Sequence, residues 1–95
     1  MKIIYPIIIT AAPEGGSFSG EFPDLEDCRV QAPTLEGLME LAHDALEGWI
    51  TAEMEEDAPQ LPPVSHPEDL KPLLAPGQTL RQVCITYRMY EGWDE

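Results

Sequence analysis

From Thr34 onward the chain sets apolar residues at steps of three and four: Leu35, Leu38, Met39, Ala42, Ala45, Leu46 and Trp49. That period is helical, and the stripe it makes is broad enough to cover a sheet. A helix of this kind cannot bury its apolar side alone, so the rest of the chain must supply a facing layer. Thr34 reads as the N-cap, with Glu36 well placed in the first turn. Glu36, Glu40, Asp44 and Glu47 fall largely on the side away from the stripe. Gly37 and Gly48 each cost about 1 kcal/mol relative to alanine in a helix interior. Gly48, beside Trp49, is expected to permit close packing or to mark fraying. The helix is expected to end near Met54, before Glu55-Glu56-Asp57.

The facing layer is a sheet. Lys2 to Ala12 holds Ile3, Ile4, Ile7, Ile8 and Ile9, a β-branched run that reads as a strand buried on both faces where alternation fails. Pro6 has no N–H to donate, which places it near the strand start, on a bulge, or against an unpaired side. Pro13-Glu14-Gly15-Gly16 is a turn. Phe18, Gly20 and Phe22 then alternate with Ser17, Ser19 and Glu21, completing a hairpin. Pro23 ends that strand, and Asp24 is expected to bond its own backbone two residues on. Cys28 to Gln31 is a short third strand. Residues 58–79 are proline-rich and aperiodic, an extended connection with a helical turn expected at Pro67–Leu74. The last strand, 80–90, alternates Val83, Ile85 and Tyr87 with Cys84, Thr86 and Arg88, and residues 91–95 form an acidic tail carrying Trp93. The fold class is α+β, in the order β-β-β-α-β, with one long helix on a small three- to four-stranded mixed sheet. Residues 1–95 form a single domain: 1–57 the hairpin, third strand and helix, 58–79 the connection, 80–90 the last strand and 91–95 the tail.

Eighteen acids against five bases leave a formal charge of -13. Gripping a phosphate backbone depends on Lys and Arg displacing counterions, so no direct nucleic-acid binding is expected of this chain alone. The charge fits a basic protein partner, a cationic ligand, or simple solubility. Ile3 to Ala12 is far too short to span a bilayer, and no secretory signal opens the chain. A cytoplasmic protein with free thiols is the expectation.

Few groups point to chemistry. Asp24, Glu26 and Asp27 are the densest carboxylate cluster before the helix, but they lack a regular metal-ligand spacing and read as a solvated turn. His43 and His66 have no serine or cysteine near them in an activation motif and read as structural. No catalytic residue, metal ligand or cofactor is assigned. The acidic helix side, Glu36, Glu40, Asp44 and Glu47, reads either as a solvated surface or as a steering face for a basic partner. Tyr90 and Trp93 are candidate anchors, because Tyr and Trp are enriched at binding hot spots.

Taken in order, several pieces of the chain resemble the HicB-like antitoxin family. They are Tyr5-Pro6-Ile7 in the first strand, Gly15-Gly16 with Phe18, and Phe22-Pro23-Asp24-Leu25 leading to Cys28. Thr34-Leu35-Glu36 starts the helix, Ala42, Ala45, Leu46 and Trp49 continue it, and Leu61-Pro62-Pro63-Val64-Ser65 follows. The chain departs from the pattern where Asp27 stands before the cysteine in place of a frequent Gly. It departs again where Ala32-Pro33 replaces a Gly-Asp pair, and where Gly37 replaces an Ala. The resemblance implies a partial RNase H-like fold with the last strand beside the first and parallel to it. Cys28 and Cys84 then lie at opposite sheet edges, as buried free thiols. The implied function is neutralisation by occlusion of a HicA-type toxin, a small basic RNA-cleaving protein, through Glu36, Glu40, Asp44, Glu47, Tyr90 and Trp93. A homodimer or higher homo-oligomer is expected, and only five residues follow Tyr90, too few for the family's frequent C-terminal DNA-binding segment. The alternatives are an orphan relative with residual metal-dependent nuclease activity and an oligomeric autorepressor acting with its toxin. The first strand carries no acid, which weighs against the nuclease.

Overall fold

The computed structural model describes residues 2–86. Strand β1 is Lys2–Ala11, β2 Phe18–Glu21, β3 Arg29–Ala32, helix α1 Leu35–Met54, the short α2 Pro67–Leu70, and β4 Gln78–Thr86. One four-stranded sheet runs in the order β3-β2-β1-β4. The α+β layout in the order expected is therefore present. The mixed sheet is not, because β4 pairs with β1 antiparallel, from Lys2↔Thr86 to Thr10↔Gln78. The reason lies in the connection. Helix α1 runs back across the sheet for 20 residues, about 30 Å at helical rise. A parallel β4 would begin where α1 ends. Instead residues 55–77 carry the chain back to the other end, where the Ala11 N–H donates to the Gly77 carbonyl at 3.2 Å. Gly77, at φ +85°, turns the chain into β4. The last strand therefore begins at Gln78 rather than residue 80, and the third strand is Arg29–Ala32 rather than Cys28–Gln31.

Hydrogen-bond parity explains Pro6. Ala11 bonds Gly77, so the odd-numbered residues of β1 exchange hydrogen bonds with β4, and the even ones face β2. On that side Ala12 bonds Ser17, and pairing continues through Thr10↔Ser19 and Ile8↔Glu21. The next exchanging pair would be Pro6 with Pro23, neither of which has an N–H. The β1–β2 ladder stops there.

The core sits between α1 and one sheet face. Leu38, Ala42, Leu46 and Ile50 are fully buried against Ile3, Tyr5, Ile7, Ile9, Val83 and Ile85. Each large aliphatic side chain buried this way contributes roughly 1.5–3 kcal/mol. Gly20 admits Ile7 closely: a Cβ there would lie 2.7 Å from the Ile7 Cδ1. The Thr34 hydroxyl caps α1, accepting from the Gly37 N–H at 3.0 Å. Gly48 permits no close contact, since a Cβ there would meet nothing within 4 Å. Asp27 takes φ 56°, the left-handed region where glycine is otherwise favoured and which Asp tolerates better than most residues. Cys28 is buried and Cys84 is exposed, both as free thiols. The expectation of two buried thiols fails at Cys84, which lies on the sheet face away from α1, opposite Ile4.

Candidate partner-binding face

Helix α1 presents its acids because Glu36, Glu40 and Asp44 keep the four-residue step of the buried row at 38, 42, 46 and 50 but stand two residues out of phase with it, about 200° around the helix. Glu36, Glu40, Asp44 and Glu47 are all exposed, within an arc of about 80° at 3.6 residues per turn. Among the described residues no Lys or Arg forms an ion pair with them. The one contact of this kind is His43 Nδ1 to Asp44 Oδ1 at 3.8 Å, between exposed side chains. His43, Asp44 and Glu47 bring donor atoms within 4.8 Å of one another, but all three are exposed on one helix surface.

Beside the first turns of the helix lies an open trough of about 660 Å³, lined by Leu35, Glu36, Met39, Glu40, His43 and Arg81. Its lining is mostly apolar, with Leu35 and Met39 at the margin of the stripe, and Glu36 and Glu40 border it with His43 and Arg81. Arg81 reaches it from β4, where it pairs with Ile7 on the helix-covered face. Two of the acids singled out in the sequence thus line the same trough as Leu35 and Met39. Tyr90 and Trp93 lie outside the described residues, as does Tyr87.

The turn acids do other work. The Asp24 carboxylate accepts from the Ser65 N–H at 2.8 Å and from the Ser65 hydroxyl. It therefore pins the proline-rich connection rather than its own backbone, which corrects the local turn expected for it. The Tyr5 hydroxyl donates to the Pro62 carbonyl close by. Burial raises the Tyr5 pKa above its ordinary value, and the negative charge of Asp24 raises it further. The Glu26 carbonyl accepts from the Trp49 indole N–H at 3.3 Å. His66 caps α2, its Nδ1 accepting from the Glu68 N–H at 3.2 Å. Burial likewise raises the pKa of the Cys28 thiol. The exposed carboxylates and the apolar trough beside them form a surface suited to recognition, and the buried Cys28 is packed in the core.

Sequence reasoning placed the acids on the exposed side but missed the trough. Leu35 and Met39 were legible as stripe residues. Arg81 was not, since its place depends on the antiparallel direction of β4. No helix among the described residues is long and apolar enough to cross a membrane.

No family model matches the chain, and no curated protein matches it. Solved structures do. A chain of the "HicA3 and HicB3 toxin-antitoxin complex" is 31% identical with a TM-score of 0.64, and the match covers 84% of this chain and 94% of that one. The "Antitoxin HicB3 crystal structure" is 28% identical with a TM-score of 0.67, over 98% of this chain and 75% of that one.

Proposed function

This chain belongs to the HicB-like antitoxin family, and from that premise we propose that it neutralises a HicA-type, RNA-cleaving toxin by covering it, in the cytoplasm. The observation that carries this reading is the row of Glu36, Glu40, Asp44 and Glu47, exposed and without Lys or Arg partners among the described residues, in a chain of charge -13. Such a row attracts a basic protein at long range and can raise its association rate by ~10-fold or more. The apolar trough between Leu35 and Met39 then accepts a side chain with an aliphatic stem, its charge meeting Glu36 and Glu40. Tyr90 and Trp93 complete the contact in this reading. The matched toxin–antitoxin complex supports the kind of partner.

The test mixes the full chain with its HicA-type toxin and follows RNA cleavage and association rate across a salt series. Neutralisation by the unaltered chain is expected. The double variant Glu40→Lys with Asp44→Lys should associate ~10-fold more slowly and with a shallower salt dependence. An unchanged rate and salt slope would remove the helix face from the interface. Cleavage that continues despite saturating antitoxin would overturn the proposed function itself.

A further inference from the structure

Helix α1 covers β4 only in part. Val83 and Ile85 are buried, while Thr79 and Arg81, on the same face of the strand, are exposed. The trough opens at that uncovered stretch, with Leu35, Glu36, Met39, Glu40 and His43 supplied by α1 and Arg81 by β4. Helix α1 itself carries no Lys or Arg. Lys2 and Arg29 stand on the opposite face of the sheet, in the rows of Ile4 and Ile8. Among the described residues, Arg81 is therefore the one Lys or Arg on α1 or on the sheet face that α1 packs against. No ion pair joins it to Glu36 or Glu40, although all three border the same trough.

Long-range attraction gives no reason for a cation here. In a chain of charge -13 that draws in a basic protein, Arg81 weakens the field beside the acids. A uniformly basic surface laid over the trough would also set a Lys or Arg against the guanidinium, and like charges across an interface are costly. Arg81 is compatible with docking only where the partner's surface changes sign. A guanidinium takes a carboxylate through two parallel N–H···O bonds, a geometry that a lysine cannot supply. Since Glu36 and Glu40 do not pair with Arg81, its donors are open to an incoming carboxylate.

We propose that Arg81 sets the specificity of this face, by pairing with a carboxylate of the HicA-type toxin. The inference rests on the toxin reading and names what that toxin carries. It presents Lys or Arg toward Glu36 and Glu40, and Asp or Glu toward β4, on either side of the apolar contact with Leu35 and Met39. Attraction and retention then belong to different residues. Any basic protein is drawn to the acids of α1, but one without the carboxylate meets Arg81 as a repulsive group and leaves quickly.

Arg81→Met tests this, because it keeps an apolar stem and removes the charge. The two effects of the residue have opposite signs. Losing a cation makes the chain more negative, so association with the toxin should be as fast as before or faster. Losing the carboxylate's partner should make dissociation ~10-fold faster or more. Both rates are read by stopped-flow mixing and by displacement of the full-length complex, with circular dichroism confirming the fold. Arg81→Glu should dissociate faster still. Each Asp and Glu of the toxin is then changed to Lys in turn. One of these toxin variants should bind Arg81→Glu more tightly than it binds the unaltered chain. Dissociation of Arg81→Met at the unaltered rate would overturn the proposal, as would a set of toxin variants none of which prefers Arg81→Glu. In either case neutralisation by the unaltered chain would still stand. Failure of the unaltered chain to bind the toxin would overturn both readings together.

Discussion

The hairpin and helix, residues 2–54, and the connection, residues 55–77, are held by different forces. The first is closed by apolar burial: Leu38, Ala42, Leu46 and Ile50 have no exposed surface and interlock with Ile3, Tyr5, Ile7 and Ile9. The second buries Leu70, packs the half-buried Leu61 against the core, and otherwise leans on polar pins: Asp24 to Ser65, Tyr5 to Pro62, and the Glu53 carboxylate to the Gln60 N–H. Burial is shared among many contacts and fails as a unit. A pin is local and can open without the core opening. A connection rich in proline suits pins, because its backbone has less freedom to lose when it is fixed.

Leu46→Ala is the variant with the largest expected effect. It should cost about 2–5 kcal/mol by denaturant unfolding, spread over every element. Asp24→Ala comes next, at about 1–3 kcal/mol for leaving the Ser65 donors without their acceptor. Its mark should be regional: hydrogen exchange should accelerate around Ser65 while the amides of α1 stay protected. If Asp24→Ala loosened α1 as much as Leu46→Ala does, the two regions would form a single cooperative unit and the contrast would be lost. The smallest change is Tyr5→Phe, at about 1 kcal/mol for the bond to Pro62. It also carries a pH signature. An unfolded tyrosine ionises near pH 10, whereas Tyr5 in the fold ionises higher because of burial and Asp24. Its contribution is thus complete below about pH 10 and is lost as pH rises from there through the folded value. Unfolding titrations from pH 9 upward should show that decline in the unaltered chain and a flatter line in Tyr5→Phe.

The helix was legible because a cap, a period and a set of charges agreed, from Thr34 through the stripe to the acids beyond it. Strand existence was legible for the same reason. Strand direction was not, because alternation along Val83, Cys84 and Ile85 reads the same forwards and backwards. Direction is set by how far residues 55–77 travel, and proline content does not state a distance. Asp24 shows a related limit. Its preference for nearby backbone is a local rule, and Ser65, far along the chain, offered two donors instead. At the candidate site the acids were readable one by one, since exposure follows from lying off the stripe. The trough was not, because one of its walls comes from β4.

The antiparallel return of β4 also sets an order of events during synthesis. Strand β1 leaves the ribosome well before β4 and pairs with it along nearly its whole length, Lys2 with Thr86 and Thr10 with Gln78. Contacts this distant in sequence are slow to close. At roughly 5–20 residues per second, β1 waits several seconds with its β4 side open, while β2, β3 and α1 are already available to it. During that wait the nascent chain displays an isoleucine-rich edge to its neighbours. A product that stops before β4 keeps that edge and is the form most prone to aggregate.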